Sequence, residues 1–242
     1  MLKRGCSLAE QVKCHLRQQI VRGEFETGRI PPELDLANAL IVSRDTIRDA
    51  LSRLEWEGII IRKQGVGTFV NEAYLHIKFP LGEVRSYEAM LEAHGYSPST
   101  QVIDVEEQPA TPRLAAELNL KLDDNLLVIQ KLLLIDRKPV IFNRINVPTR
   151  IINQPYTYNG LNLPLHRFLS EYCREHLTHY LSELVPLIPS AWLVKILNLA
   201  HQETAILSFE EIGYNQDNRP IVKVHSYFEN TLPKWQMLRK SP

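Results

Sequence analysis

The sequence has few cysteines, no long apolar run and no net charge. Its three cysteines, Cys6, Cys14 and Cys173, are odd in number and widely spaced, which favours a reducing cytoplasm over a disulfide framework. They form no C-x-x-C or Cys/His pattern of the kind that binds zinc. No stretch reaches about 18 apolar residues, so no transmembrane helix is expected. The first six residues lack the apolar core of a signal peptide. We therefore expect a cytoplasmic protein with no membrane partner.

Charge does not single out a class of partner. The 28 Lys+Arg residues balance the 28 Asp+Glu residues. Residues 1–70 contain 11 and 9 of them, and the remainder contains 17 and 19. Any DNA-binding surface must therefore be built from locally placed basic groups. A hydrophobic content of 44% is enough for a core, and the 242 residues suit one large domain or two smaller ones. The sequence shows no internal repeat.

Residues 1–72 predict three helices followed by a β-hairpin. Apolar residues spaced every four positions indicate the first helix, at Leu8, Val12, Leu16 and Ile20. The second helix is expected from Pro32, with apolar residues Leu34, Leu36, Ala37 and Leu40. Ser43 suits the N-cap of the third, whose predicted buried face is Ile47, Ala50, Leu51 and Leu54. Residues 59–61 and 68–70 are the expected strands, with a glycine-containing tip at residues 63–67.

The exposed side of the third helix carries polar groups near its N-terminus: Arg44, Asp45, Thr46 and Arg48. In a helix-turn-helix this end enters the major groove, where arginine can bond guanine in bidentate fashion. Arg62 and Lys63 add cations at the wing. Taken alone, each of these basic residues is more simply interpreted as a solvated surface group than as a DNA contact. Together, on this outline, they favour DNA contact.

Residues 8–70 resemble the N-terminal domain of the GntR family of bacterial regulators. The matching motifs are Leu16-Arg17-x-x-Ile20-x-x-Gly23, Gly28-x-Ile30-Pro31-Pro32-Glu33-x-x-Leu36-Ala37, Val42-Ser43-Arg44-x-Thr46-x-Arg48-x-Ala50-Leu51, Leu54-x-x-Glu57-Gly58-Ile59-Ile60 and Arg62-Lys63-Gln64-Gly65-Val66-Gly67-Thr68-Phe69-Val70. The resemblance implies that Arg44, Thr46 and Arg48 meet bases and phosphates. It also implies that the Gln64-Gly65 tip enters the minor groove. The candidate DNA-binding residues are Glu33, Ser43, Arg44, Thr46, Arg48, Arg62, Lys63, Gln64, Gly65, Gly67 and Thr68.

Two residues depart from the family pattern. Ile41 stands where the family usually has glycine, in the turn before the third helix. A left-handed backbone there would cost a β-branched residue about 1–2 kcal/mol, so either the turn differs or stability is lost. Leu34 stands where a polar or basic residue is common, so one phosphate contact is expected to be missing.

After a linker at residues 73–85, residues 86–242 predict an α+β domain built on an antiparallel sheet. The expected helices are 87–93, 112–118, 165–174 and 192–199, and the expected strands are 100–105, 126–135, 140–147, 205–214 and 221–228. This part resembles the UTRA domain of the HutC subfamily, which has the fold of chorismate lyase. The resemblance rests on Ser86-Tyr87-x-x-Met90, Gly95-x-x-Pro98-x-Thr100, Ala115-x-x-Leu118-Asn119-Leu120, Asp136-Arg137-Lys138-Pro139-Val140, Leu165-His166-x-Phe168-Leu169 and Asn218-Arg219-Pro220-Ile221.

The resemblance implies a small-molecule effector site and dimerisation through this domain. Lys131 takes the place of a family arginine, and Asn143 and Lys223 take the places of two family glutamates. These replacements predict a more positive pocket and an anionic effector. The candidate effector-binding residues are Ser86, Tyr87, Lys131, Asn143, Arg144, His166, Lys223 and Tyr227. Each of them alone is as simply read as an ordinary strand or helix residue.

The pattern as a whole predicts a homodimeric, DNA-binding transcriptional regulator, by default a repressor, with no cofactor or metal. One alternative is a DNA-binding protein that has lost ligand sensing. A second is a lyase-like enzyme, but the sequence shows no nucleophile elbow, zinc spacing or P-loop. Glu210 and Glu211 are adjacent in a predicted strand, so they point to opposite faces and cannot act as a catalytic pair.

Overall fold

The computed structural model describes residues 7–25, 27–77, 79–81, 86–199, 205–229 and 234–238. They fall into two units. The first contains the residues up to Leu81 and those from Trp235 onward, and the second contains those in between. Residues 1–6, in which the sequence predicts no signal peptide, and residues 78 and 82–85 of the predicted linker lie outside the described residues. No helix in the described ranges is long and apolar enough to cross a membrane.

The first unit is a winged helix-turn-helix, as predicted. Its three main helices are α1 (Leu8–Val21), α2 (Glu33–Leu40) and α3 (Arg44–Trp56). Its antiparallel sheet has the order β1-β3-β2, from β1 (Arg29–Ile30), β2 (Ile60–Lys63) and β3 (Gly67–Val70). In the β2–β3 hairpin Arg62 lies opposite Thr68, and Lys63 lies opposite Gly67. Strand β1 was not predicted, because two residues carry no periodicity.

The core of this unit follows the apolar spacing of the helices. Buried residues from all three helices and the sheet form one cluster: Val12, Leu16, Ile20, Ile30, Leu36, Ala37, Ile47, Ala50, Leu51, Leu54, Ile59, Ile60 and Val70. Leu8 and Leu34 belong to the apolar patterns of the first two helices, but both are exposed. Leu8 is the first residue of α1.

A short helix and two short strands complete the first unit. Helix α4 (Glu72–Leu75) begins one residue before the predicted linker, and Tyr74 packs against the core cluster. Strand β4 (Phe79–Pro80) pairs in parallel with β11 (Trp235–Gln236). Hence β11, which the predicted boundaries of 86–242 place in the C-terminal domain, groups with the first unit.

A six-stranded antiparallel sheet forms the second unit, in the order β5-β6-β7-β10-β9-β8. Its strands are β5 (Pro98–Pro109), β6 (Asn125–Ile135), β7 (Lys138–Pro148), β8 (Leu177–Leu187), β9 (Ile206–Asn215) and β10 (Pro220–Phe228). Its helices are α5 (Tyr87–Glu92), α6 (Pro112–Glu117), α7 (Tyr158–Asn162), α8 (Leu165–Tyr172) and α9 (Ala191–Leu197), with a 3-10 turn at Thr149–Ile151. The predicted α+β class is confirmed. The edge strand β8 and helix α7 were not predicted.

Helices cover both faces of this sheet. On one, the α8 face, Ile129, Ile145 and Val224 pack against Phe168 and Leu169 of α8. On the other, the α9 face, further apolar residues meet α9 and α6. The contacts to α9 are made by Leu132 and Phe142 with Leu193 and Leu197, and the contacts to α6 by Leu126 and Val128 with Ala115 and Leu118. Since side chains alternate along a strand, neighbouring residues serve different faces.

The second unit contains an internal repeat that the sequence did not reveal. The first half consists of β5, α6, β6 and β7, and the second half repeats this order of elements with β8, α9, β9 and β10. The two halves meet at the β7–β10 pair. Thr111 and Ser190 cap α6 and α9 through equivalent backbone amides. Asn119 and Asn198 follow these helices, both with φ of 51°.

The hairpins of the two halves match as well. In each, the register shifts by one residue just after a proline, at Pro139 in the first half and Pro220 in the second. Counting from these landmarks pairs residues of the two halves one to one. A few helix and turn residues are identical in the two halves, such as Leu118 with Leu197 and Asn119 with Asn198, but most of the paired strand residues differ. The repeat is therefore far clearer in the structure than in the sequence.

Candidate DNA-binding surface and effector pocket

The N-terminus of α3 is built around Ser43. Its hydroxyl accepts a hydrogen bond from the Thr46 amide at 3.1 Å, which satisfies one of the free N–H groups of the first turn. The Ser43 and Thr46 hydroxyls are also 2.8 Å apart. The predicted cap is therefore present, and it fixes the direction in which the first turn of α3 projects its side chains.

Arg44 and Arg48 project from this turn and remain exposed, with 58% and 53% of their side-chain surface accessible. The carboxylate of Glu33, at the start of α2, lies between them. Its Oε2 atom is 3.9 Å from Arg44 Nη2 and 3.5 Å from Arg48 Nη2. Arg48 also contacts Asp45 at 3.1 Å. Glu33 thus lies against the two arginines, where it can hold them in place.

The wing residues occupy three different environments. Arg62 turns back to α3, where its Nη2 donates to the Arg48 carbonyl at 3.3 Å and its Nε lies 3.5 Å from Glu55. Lys63 lies with its ammonium 5.2 Å from the centre of the Phe69 ring. Gln64 and Gly65 form the exposed tip, and Gly65 has a φ of 74°, which favours glycine.

Arg29 is a wing residue that sequence reasoning missed. Its Nη2 donates to the Val66 carbonyl at 3.0 Å, and its guanidinium lies 6.0 Å from the Phe69 ring centre. A Cβ added at Gly67, whose φ is 136°, would lie 3.3 Å from this guanidinium. Thr68 pairs with Ile30 on one side and Arg62 on the other. Arg29 therefore braces the wing. Only the register of the short strand β1 discloses this role.

The turn between α2 and α3 keeps the left-handed geometry despite Ile41. This residue has φ 54° and ψ 48°, and its side chain is 91% exposed. The Val42 amide donates to the Ala37 carbonyl at 3.0 Å, as in a glycine-type helix end. Of the two outcomes expected from the sequence, the structure shows the left-handed turn with a strained residue in it.

The eight candidate effector residues do not form one site. Lys131 and Asn143 are paired across β6 and β7 on the α8 face. Arg144, Lys223 and Tyr227 lie on the α9 face. His166 is exposed on α8, beside a small crevice that Arg167, Ser170, Glu171, His176 and Leu177 also line. The set divides because Asn143 and Arg144 are consecutive in a strand and must point to opposite faces.

The α8 face does hold a buried polar cluster. Lys131 is 3% exposed and Asn143 is 6% exposed. The Lys131 ammonium donates to the Leu163 carbonyl at 2.8 Å, and burial lowers its pKa to about 8, against the opposing influence of Glu88. The Asn143 side-chain oxygen has no hydrogen-bond partner among the described residues. A buried ammonium and an unpaired carbonyl side by side are suited to a polar ligand.

Tyr87 and Glu211 extend this cluster along the sheet. The Tyr87 hydroxyl lies 3.1 Å from both Glu211 Oε2 and Ser226 Oγ, and Ser182 donates to the other Glu211 oxygen at 2.6 Å. Burial raises the pKa of both the Tyr87 hydroxyl and the Glu211 carboxyl. Ser86 serves as the N-cap of α5, accepting from the Ala89 amide. Glu211, Ser226 and Ser182 were not predicted, since nothing in the sequence shows which strand residues share a face.

The α9 face carries a separate ion-pair network. Lys223 is 4% exposed, and its ammonium lies 3.2 Å from Glu117 and 3.8 Å from Glu210. Lys223 therefore lies on the opposite face from the α8-face cluster, where the charged groups are Lys131, Glu88 and Glu211. Glu210 and Glu211 do point to opposite faces, as predicted. In the described part of the chain no three His, Cys, Asp or Glu side chains are grouped so as to hold a metal ion.

Each half of the chain matches the model of a known protein family. Residues 8–70 match the family model described as bacterial regulatory proteins, gntR family, and residues 93–231 match the UTRA domain model. The mannosyl-D-glycerate transport/metabolism system repressor MngR of Escherichia coli is 26% identical over 213 residues, covering 88% of this chain and 87% of its own. The histidine utilization repressor of Pseudomonas putida is 29% identical over 204 residues, covering 84% and 77%.

Solved structures share the fold. The Bacillus subtilis protein YydK, described as a possible transcriptional regulator, has a TM-score of 0.73 at 16% identity, covering 98% of this chain and all of its own. PhnF from Mycobacterium smegmatis has a TM-score of 0.61 at 20% identity, covering 96% and 100%.

Proposed function

Because the chain belongs to the GntR family of bacterial regulatory proteins and carries a UTRA domain, we propose that it is a repressor that binds its operator as a homodimer and releases it when a small effector binds. It is a DNA-binding transcriptional regulator rather than an enzyme. Residues 1–72 would bind DNA, and residues 86–242 would bind the effector and form the dimer. Residues 73–85 would link these two domains.

One observation carries the DNA-binding surface: two exposed arginines at the Ser43-capped end of α3, braced by Glu33. Arg44 and Arg48 are proposed to reach base edges or phosphates in the major groove, with Thr46 beside them. The helix N-terminus adds a favourable site for a phosphate. Lys63, Gln64 and Gly65 are proposed to approach the minor groove from the wing, while Arg62 and Glu33 act by positioning.

The test uses the full chain and the DNA upstream of its own gene, with binding followed by fluorescence anisotropy at several salt concentrations. Arg44→Ala and Arg48→Ala should each weaken binding by about ten- to a hundredfold if the contact is a bidentate one to a base. Arg53→Ala is the matched control, since Arg53 lies at the other end of α3 and pairs with Asp49. Unchanged DNA affinity in both Arg44→Ala and Arg48→Ala would contradict the proposed DNA-binding surface.

Homodimerisation is proposed because one helix-turn-helix makes few contacts, and two-fold related half-sites about 34 Å apart need two copies. The edge strand β8 supports a route for it. It runs for 11 residues with Leu181 and Leu184 exposed on opposite faces, and Glu183 is its only acidic or basic residue apart from His179. An edge strand of this kind is suited to pair with another strand.

The effector is proposed to occupy the polar cluster of the α8 face. Because Lys131 and Asn143 share the α8 face with Glu211, the ligand should carry an acidic or carbonyl group for Lys131 and a hydroxyl or amine donor for the other two. This revises the simple anion predicted from the sequence, which relied on Lys223. In a thermal-shift screen, hydroxy acids or amino acids should stabilise the protein. Stabilisation only by neutral apolar or purely cationic compounds would contradict it.

A further inference from the structure

The internal repeat of the second unit creates two equivalent crevices on the α9 face. Helix α6 of the first half packs near β10 of the second, and α9 of the second half packs on β7 of the first. Counting from the helix caps, Arg113 corresponds to Trp192 and Glu117 to Ile196. Counting from Pro139 and Pro220, Arg144 corresponds to His225, and Phe142 to Lys223. The two crevices thus share a backbone but differ in their side chains.

Ion pairs close the crevice under α6. Arg113 lies 2.7 Å from Glu210 and 2.9 Å from Glu117. Lys223 approaches the same two carboxylates from β10, and His225 lies 3.7 Å from Glu210. The charged groups of this crevice, Arg113, Glu117, Glu210 and Lys223, therefore each have an oppositely charged neighbour.

The crevice under α9 is instead an open cavity of about 540 Å³, within the range of small-molecule sites. Its lining residues are Ile103, Asp104, Gln130, Arg144, Trp192 and Ile196. Trp192 is 51% exposed and meets Phe142 edge to face, with ring centres 5.1 Å apart and planes at 79°. The flat face of this half-exposed tryptophan is suited to stacking against another ring.

The polar side of the cavity has one cation that is weakly engaged. Arg144 has Glu106 as its neighbouring carboxylate at 3.8 Å, a distance at which no hydrogen bond forms. Gln130 is already used, because its amide donates to Asp104 at 3.1 Å. A planar guanidinium matches a carboxylate through two parallel hydrogen bonds. Asp104 at the rim disfavours a ligand with a second negative charge.

We propose that the cavity under α9 is a second small-molecule site that takes a flat aromatic monocarboxylate. The ring stacks on Trp192 between Ile103 and Ile196, and the carboxylate pairs with Arg144. The site is separate from the proposed effector cluster, because Arg144 and Lys131 point to opposite faces of the sheet. It goes beyond the proposed function, since that function needs one effector site.

The test is isothermal titration of the full chain with 2-naphthoate, using 2-naphthylmethanol to remove the charge and cyclohexanecarboxylate to remove the flat ring. Arg144→Gln and Trp192→Leu should each weaken 2-naphthoate binding at least about tenfold, as expected for loss of a charge-assisted bond or a stacked ring. Arg150→Gln, an exposed arginine that pairs with Asp124, is the matched control and should bind normally. So should Lys131→Met.

Three results would overturn the proposal. The first is no heat of binding up to about 10 mM 2-naphthoate. The second is binding that Lys131→Met abolishes and Arg144→Gln leaves intact, which would place the ligand on the α8 face. The third is a Trp192→Leu variant that binds normally but dissociates in sedimentation experiments, which would make this surface a contact between copies. Arg144→Gln removes only a partly exposed group, so it decides the matter even if Trp192→Leu fails to fold.

Discussion

The carboxylate of Glu33 lies 3.5 Å from the guanidinium of Arg48, across the turn that joins α2 to α3. This contact places a negative charge in a surface proposed to meet DNA phosphates. This charge weakens the electrostatic attraction to DNA, which is consistent with a role for Glu33 in orienting the two arginines. We therefore expect Glu33→Gln to raise affinity for random DNA and to lower the ratio of operator to random binding, by about three- to tenfold.

Anisotropy titrations of both DNAs at two salt concentrations would measure this ratio. Glu24→Gln is a suitable control, because Glu24 pairs with Arg22 in a loop away from α3. A Glu33→Gln variant that loses affinity for both DNAs equally would show that the carboxylate maintains the fold instead.

Ile41 predicts a stabilising substitution. Its left-handed backbone strains a β-branched residue, and its side chain makes almost no contacts because it is 91% exposed. Ile41→Gly should raise the free energy of unfolding by about 1 kcal/mol, the strain relieved less the extra entropy of glycine in the unfolded chain. Urea denaturation followed by circular dichroism measures the change. Ile41→Val, which keeps the β-branch, should give no gain.

Local patterns predicted the first unit well. The Ser43 cap and the buried face of α3 each depend on residues within one or two turns of each other, and both appear as expected. The second unit depends on pairing between distant strands. Residues 140–147 were recognised as a strand, yet Asn143 and Arg144 were assigned to one site although consecutive strand residues point to opposite faces of the sheet. Periodicity gives the alternation but not which face a ligand uses.

The missed strand β8 shows a second limit. Its 11 residues contain Pro186, Glu183 and Ser182 and lie at a sheet edge, where no face is fully buried. No apolar alternation is then needed, and the sequence gives no strand signal. The internal repeat was hidden for a related reason, because equivalent positions such as Arg113 and Trp192 have diverged while the caps and turns remain.

The exposed apolar residues of β8 give a prediction about assembly. Leu181→Glu should shift the chain from dimer to monomer, since a charge on a paired edge strand would be buried against the partner copy. Operator affinity should fall with it, because the two half-sites are then bound independently. Leu122→Glu makes the same change at a similarly exposed leucine outside the strands and should remain dimeric.

Sedimentation velocity at several protein concentrations distinguishes the two states. If Leu181→Glu sediments like the unmodified chain, dimerisation uses another surface. If the unmodified chain itself is monomeric at the concentrations that saturate operator DNA, the proposed homodimer is incorrect.

Lys131 predicts how stability depends on pH. Burial lowers the pKa of its ammonium from 10.5 in the unfolded chain to about 8 in the folded one. Below pH 8 both states are protonated and the desolvation cost is fully present. Between pH 8 and 10.5 the folded state loses its proton first, so the contribution of Lys131 to stability improves as pH rises. A shift of this size corresponds to about 3 kcal/mol.

Lys131→Met should therefore be more stable than the unmodified chain at pH 7, and the difference should shrink toward pH 10.5. Comparing the two proteins by urea denaturation from pH 7 to 10 removes the contribution of the tyrosines, which both share. The same substitution should abolish the response to an effector in the α8-face cluster while leaving operator binding intact. The buried Lys131 ammonium and the unpaired Asn143 oxygen both lower the stability of the folded chain. Such a cost is expected where two groups are retained to bind a polar ligand. A Lys131→Met protein that still responds to its effector would place the sensing site elsewhere.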